Sequence, residues 1–218
     1  MDPRRITDLQ TSYDRVAEEY VKRIFDELEH KPLDRQLLDR LAERIRGLGP
    51  VCDLGCGPGH VARYLRDREV DVFGIDLSPG MVRQARRLSP EIEFTQGNML
   101  ALEVEAHAWA GIVAFYSIIH IPREEAVNAL REMRRVLRPG GLLLLAFHLG
   151  DKVIHLDEWW GAQVSADFIF FRRSEMEEYL KAAGFEIEEV VEREPYEQVE
   201  YQSRRAYFLA KKPQPPSS

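Results

Sequence analysis

From Thr11 to His30 the apolar positions Tyr13, Val16, Ala17, Tyr20, Ile24 and Leu28 recur at three- and four-residue steps, the spacing of one helical face. A second helix is predicted over 32–45. Leu33, Leu37, Leu41 and Ile45 form its inner stripe, Pro32 opens it, and Gly47, Gly49 and Pro50 close it. After Pro50 the pattern changes. Short, nearly continuous apolar runs at 51–54, 70–77, 92–98, 109–117 and 142–148 read as strands. Helical patterns at 60–68, 79–88 and 123–141 separate them. Ser78 and Pro79 supply a cap and first-turn residue for one, and Pro139-Gly140-Gly141 ends another. A last helix over 174–185 has Ser174 as cap and Gly184 as stop. Two strands, 185–192 and 204–212, follow with no helix between them.

Regular alternation of strand and helix predicts an α/β chain with a mostly parallel sheet and helices on both faces. Two final strands with no crossover helix must form an antiparallel hairpin. No repeat and no second core is visible, so 1–218 is expected to be one domain. Its expected parts are a helical cap (1–49), a ligand-binding core (50–147), an insertion (148–173), a C-terminal helix and hairpin (174–211) and a disordered tail (212–218).

Composition narrows the function classes. Hydrophobic residues make up 44% of the chain, enough for a large core. The net charge of −7 argues against a general nucleic-acid surface, and no DNA partner is expected. Cys52 and Cys56 flank a turn without a CxxC pair, which reads as two small buried residues in a reducing compartment. No apolar run approaches a membrane span and the first residues have no signal-peptide pattern. A soluble cytoplasmic protein, monomer or homodimer, is the expectation.

The stretch "VCDLGCGPGH" carries the chemistry. In sheets of this kind ligands bind beyond the C-terminal strand ends, beside the first strand. Gly55, Gly57 and Gly59 fall there, where a backbone without side chains approaches a ligand closely. Asp76 ends the second strand, where a carboxylate can accept both hydroxyls of a ribose. The dinucleotide fingerprint GxGxxG fails, because His60 stands where its third glycine is needed.

With these residues the chain resembles the class I S-adenosylmethionine (SAM)-dependent methyltransferases of small-molecule type, from about Tyr13 to Lys211. "DLGCGPGH" resembles the family's first motif, "GIDLSPGMV" its second, and "GNML" the segment that touches adenine. "LRPGGLLLL" resembles the turn and strand after the fourth helix, and "YDRVAEEY" the helix that closes over the cofactor. The resemblance implies a Rossmann-like seven-stranded sheet with S-adenosylmethionine as cofactor and S-adenosylhomocysteine as product. Asp53, Gly55 and Gly57 would hold the methionine part and Asp76 the ribose. Leu77 and Met99 would sandwich adenine and Asn98 would bond its edge. Phe115 and Ser117 would lie near the sulfonium, and Tyr13 and Tyr20 would close the site. Asn98 replaces the usual Asp, and Ala110 an acid found in many relatives.

The methyl acceptor must be sought on the same sheet edge. His120 is the candidate general base or anchor; the alternative is a histidine that caps the next helix or pairs with a backbone carbonyl. Tyr116, His148, Trp159, Trp160, Tyr201 and Arg204 are the candidate substrate contacts. Trp159 and Trp160 would form a lid, or would simply pack a small added sheet. Arg204 or Arg205 could clamp a carboxylate. No metal is expected, since His120, His148, His155 and Asp157 have no recognised ligand spacing. Arg131, Arg134, Arg135 and Arg138 read as a solvated helical face. The expected function is methyl transfer to an O, N or C nucleophile of a small molecule. Its rivals are an RNA or protein methyltransferase on the same fold, a non-catalytic SAM-binding protein, and an NAD-dependent oxidoreductase.

Overall fold

The computed structural model describes residues 1–215. Helix α1 (Pro3–Ile24) leads to a 3₁₀ turn (Glu27–His30) and α2 (Pro32–Ile45). Then come β1 (Val51–Leu54), α3 (His60–Arg66), β2 (Val72–Asp76), α4 (Pro79–Leu88), β3 (Phe94–Gln96) and β4 (Trp109–Phe115). A second 3₁₀ turn (Ile118–His120) precedes α5 (Arg123–Val136) and β5 (Leu137–His148). The chain continues through β6 (Val153–Trp159), β7 (Ala162–Ile169), α6 (Arg173–Ala182), β8 (Glu186–Arg193) and β9 (Arg205–Lys211).

Seven strands form one sheet in the order β3-β2-β1-β4-β5-β9-β8, with β9 antiparallel to both neighbours. This is the predicted mostly parallel sheet closed by a C-terminal hairpin. The chain runs outward from β1 through β2 and β3, then returns to β4 on the other side. That reversal makes the β1–β4 junction the switch point. Alternation divides the apolar side chains. Leu143, Leu145 and Phe147 of β5 join α5 and α6 on one face, and Leu142, Leu144 and Ala146 face α2 and α3 on the other.

Several boundaries differ from the sequence expectation. α1 starts at Pro3 rather than near Thr11, because Asp2 caps it by accepting from the Arg4 N–H and Pro3 takes the first helical position. α5 stops at Val136, and 137–141 runs in β5 instead, since the residue before Pro139 is held out of the helical region. α6 is capped at Arg172, not Ser174; the Glu175 carboxylate accepts from the Arg172 N–H. The 148–173 insertion is a hairpin in its own two-stranded sheet. Trp160 and Gly161 both have positive φ (53° and 82°), the two-residue turn that matches strand twist. At the other end, Lys212 is buried and its ammonium donates to the carbonyls of Arg134 and Leu137, closing the end of α5. The rest of the expected tail from 216 on lies outside the described residues. Arg134 and Arg135 are not free surface charges: they bind the carbonyls of Gly184, Leu102 and Val104.

Candidate active site

β1 ends against the β4 exit so tightly that a side chain at Gly55 is impossible. A Cβ there would stand 2.3 Å from the Ser117 Cβ, and φ is +76°. Ser117 locks the junction by donating from its hydroxyl to the Leu54 carbonyl at 2.8 Å. The turn is then tied to β2. The Gly57 N–H donates to Asp76 Oδ2 at 2.7 Å, and the Ser78 N–H donates to Oδ1 at 2.8 Å. Each Asp76 oxygen keeps lone-pair capacity toward the cavity it lines. Asp53 is buried below the turn and accepts from the Ala62 N–H at 3.0 Å, holding the start of α3.

These parts wall a cavity that is partly open to solvent. Its charged lining is acidic. Burial pushes the Asp53 carboxyl up to about 7 and that of Asp76 up to about 6. Burial also works against the Glu27 carboxylate, yet Lys31 (2.6 Å) and His60 (3.2 Å) more than offset it and hold Glu27 down at about 2.

Every residue assigned to the cofactor lines this one cavity: Tyr13 and Tyr20 from α1, Asp53, Gly55 and Gly57 from the first turn, Asp76 and Leu77, Asn98 and Met99, Phe115 and Ser117. The Asn98 Oδ1 also accepts from the Leu100 N–H at 3.0 Å, which fixes its amide in the loop after β3. His120 lines the cavity too, and it pairs with a backbone carbonyl, the structural alternative of the sequence reading. Its Nε2 lies 2.6 Å from the Tyr13 hydroxyl and its Nδ1 2.8 Å from the Asp167 carbonyl. Burial lowers the ring to about 4.

The candidate substrate contacts separate. Tyr116 is on the cavity wall. Trp159 and Trp160 are not: they brace the outer side of α1, with Trp159 edge-on to Tyr13 and Tyr20 (5.5 and 5.8 Å) and Trp160 against Tyr20 and Arg23. His148 lies behind Tyr116, stacked on Phe170 and bonded to the Ser203 hydroxyl at 2.8 Å. Tyr201 is more than half exposed and rests edge-on against His148. Arg204 pairs with Glu192 and Glu194 at the surface, and Arg205 is buried 3.1 Å from Glu200. Among the described residues no cluster of three metal-ligating side chains exists; His155 pairs with Asp157 and Asp167. Sequence reasoning missed Ile6, Leu9 and Gln10, which line the cavity from the first turns of α1. The Asp2-Pro3 start signal could have found them. Glu27 and His60 were missed because their meeting depends on the fold of the turn between α1 and α2.

The lining fits SAM. Glycines leave room at the turn, Asp76 offers two acceptors suited to a ribose diol, and the acidic cavity suits a ligand carrying a sulfonium and an ammonium.

Comparison with known proteins agrees. A family profile described as "Methyltransferase domain" matches residues 51–141. The chain is similar to a malonyl-[acyl-carrier protein] O-methyltransferase of Enterobacter lignolyticus, 30% identical over 62% of this chain and 53% of that protein. It is also similar to a demethylmenaquinone methyltransferase of Beutenbergia cavernae, 34% identical over 44% of this chain and 39% of that protein. The chain thus spans about half, or less, of these curated relatives. Among solved structures, the CcbJ methyltransferase of Streptomyces caelestis superposes with a TM-score of 0.70 at 17% identity, over 94% of this chain and 99% of that one. Among the described residues no helix is long and apolar enough to cross a membrane. The motif, the sheet order and these matches converge: residues 51–141 carry a methyltransferase domain, and the chain is similar to the class I SAM-dependent methyltransferases, a likeness that implies S-adenosylmethionine as cofactor.

Proposed function

We propose that this protein transfers the methyl group of SAM to a small-molecule acceptor bound beside Tyr13, Tyr116 and His120. The observation that carries the reading is the pairing of the Gly55–Gly57 turn with Asp76. Asp76 is anchored by two backbone N–H groups yet faces an acidic cavity. When bound, SAM supplies an electrophilic methyl group, and displacement needs chiefly alignment and exclusion of water. Asp76 would hold the ribose, Leu77 and Met99 the adenine faces, and Asn98 the adenine edge. Asp53, beneath the first turn, fixes α3 through Ala62, under the place of the methionine part. α1 covers the cavity and shields the reacting groups from water.

The names of the curated relatives, one acting on malonyl-[acyl-carrier protein] and one on demethylmenaquinone, support a small acceptor group. The acidic balance of the chain favours this over an RNA acceptor. The test has two parts. Calorimetry should show binding of SAM and S-adenosylhomocysteine but not NAD. Incubation with methyl-labelled SAM and fractionated metabolites should give a product heavier by one methyl group. Tighter binding of NAD than of SAM, or SAM binding with no acceptor in any fraction, would sink the proposal.

A further inference from the structure

The cavity states a direction for the hydrogen bond its acceptor must make. A backbone carbonyl can only accept, so the contact from His120 Nδ1 to the Asp167 oxygen at 2.8 Å places the ring proton on Nδ1. The buried ring is neutral at pH 7, because burial lowers its basicity. Nε2 is therefore a bare lone pair, and the Tyr13 hydroxyl 2.6 Å away must be its donor. Tyr13 has one proton and has spent it. The phenol itself stays protonated, since burial raises it well above its usual range. What Tyr13 Oη offers the cavity is thus lone pairs only, and no second partner among the described residues occupies them.

The charges around the cavity point the same way. No lysine or arginine lines it, whereas Glu27, Asp53 and Asp76 do. Lys31 and Arg205 stand behind the Tyr116 ring, at 5.4 and 5.7 Å from its centre. Both are already matched: Lys31 by Glu27 and Glu200, Arg205 by Glu200. The Met1 ammonium at the rim is taken by Glu125. A carboxylate acceptor beside Tyr13 would find no lysine or arginine in the lining and would meet an oxygen that cannot donate to it.

Resting on the methyltransferase reading, we infer that the acceptor is an uncharged hydrogen-bond donor, an alcohol, phenol or amine, whose O–H or N–H is bound by Tyr13 Oη, with His120 as the positioning residue behind it. The step balances. The acceptor lone pair forms the bond to the methyl carbon while the S–C bond breaks and leaves its pair on sulfur. The acceptor proton passes to Tyr13 Oη as the Tyr13 proton passes to His120 Nε2. The sulfonium charge disappears as the imidazolium charge appears, so the cavity keeps its net charge. The proton returns through Tyr13 to water when the products leave. Tyr13 is then the catalytic residue that touches the acceptor. The ionisable groups beyond His120, across the neighbouring cavity, are Asp167, His155, Arg5, Asp8 and the Met1 ammonium with its partner Glu125.

The direction is tested on protein labelled with ¹⁵N-histidine and saturated with S-adenosylhomocysteine, by ring-nitrogen shifts at pH 7. The His120 signals, assigned as those that move in Tyr13→Phe, should show Nδ1–H with Nε2 accepting. An Nε2–H tautomer or an imidazolium would overturn the inference whatever the acceptor proves to be. The chemistry is tested with methyl-labelled SAM and a small-molecule extract. The labelled product should survive mild alkaline hydrolysis as an ether or amine; release of labelled methanol, the mark of an ester, would overturn it. Tyr13→Phe should leave SAM affinity within about threefold while turnover falls by about 100-fold or more; unchanged turnover would overturn it. At saturating SAM, where Asp76 no longer limits binding, His120→Gln should also remove the acid limb of the kcat–pH profile, which a merely structural role would leave in place. Loss of S-adenosylhomocysteine binding in the unsubstituted protein, read by calorimetry on the same sample, would count against the methyltransferase reading instead.

Discussion

Removal of Asp76 should nearly abolish SAM binding while leaving a folded protein. The carboxylate has two tasks: it accepts from Gly57 and Ser78 at 2.7 and 2.8 Å, and it turns its remaining lone pairs toward the cavity. A ribose diol would add two charge-assisted hydrogen bonds, each worth about 1.5–3 kcal/mol. In Asp76→Ala both are lost, about 3–6 kcal/mol together, and at 1.4 kcal/mol per tenfold the Kd should rise by about 10²–10⁴. The two N–H groups left behind face a cavity that admits water, so the cost to folding should stay near 1–3 kcal/mol. Calorimetric titration with SAM reads the first quantity and urea denaturation of the apo protein the second. A cofactor analogue lacking one ribose hydroxyl should lose affinity for the unsubstituted protein but scarcely more for the variant. If Asp76→Ala binds SAM within threefold of the unsubstituted protein, the ribose assignment is wrong, and with it the strongest link between this cavity and a nucleoside.

The pH dependence of binding carries the same group. The raised Asp76 carboxyl, near 6, must be ionised to accept both hydroxyls, so SAM affinity should be flat above that value and fall below it by up to about tenfold per pH unit; a pH-independent Kd from 7 to 5 would contradict this. Gly55→Ala forces a Cβ to 2.3 Å from Ser117 at φ +76° and should destabilise by about 2–4 kcal/mol, whereas Gly47→Ala, with open space around it and φ +71°, should cost only about 1 kcal/mol; equal losses in thermal melts would refute the steric argument. Trp159→Ala removes the brace behind Tyr13 and Tyr20 and should speed SAM dissociation in stopped-flow measurements, and an unchanged off-rate would separate the hairpin from the site. His148, lowered to about 3 by burial and then by Arg205 and Lys31, is neutral in the fold and charged when unfolded below about 6.5. Its contribution is present above that value and lost as pH falls toward 3, so His148→Phe should be less acid-sensitive than the unsubstituted protein in melts between pH 6 and 4.

The residues assigned to the cofactor fall on one cavity because their placement is written locally. Asp53, Gly55 and Gly57 lie within one turn, Asp76 ends the next strand, and Asn98 and Met99 follow the third. A parallel sheet with a switch point brings such strand ends together whatever else the chain does. The acceptor half depends on pairings of long sequence separation. Trp159 and Trp160 looked like a lid because a long aromatic connection has no period that says which way its side chains turn. Only the docking of the β6–β7 hairpin on α1 makes them outer braces, with Ser12 and Ser165 joined across that contact. His148 is on the expected edge but one layer deeper than a substrate contact, since nothing local says that Tyr116 swings in front of it at φ +53°.

That depth has a further consequence for how the cavity is held. Glu27 and Tyr116 are the points where the cavity wall meets a buried ion network of Lys31, Asp34, Arg193, Glu200 and Arg205. The Tyr116 hydroxyl bonds that of Tyr207 at 2.8 Å, and Tyr207 in turn donates to Asp34. Breaking one member of such a network strands its partner without water, which is far more costly than the pair is stabilising. The wall behind Tyr116 is therefore stiff. The wall formed by α1 is tied on two sides. Ser12 and Arg15 bond the β6–β7 hairpin, and Val16 and Ala17 are buried against Met81 and Val164. Asp14 accepts from the Ser78 hydroxyl at 2.5 Å and the Gly80 N–H at 2.7 Å. The Ser78 N–H also holds Asp76, so α1 and the Asp76 turn form one hydrogen-bonded unit, and a change in Asp14 should be felt at Asp76.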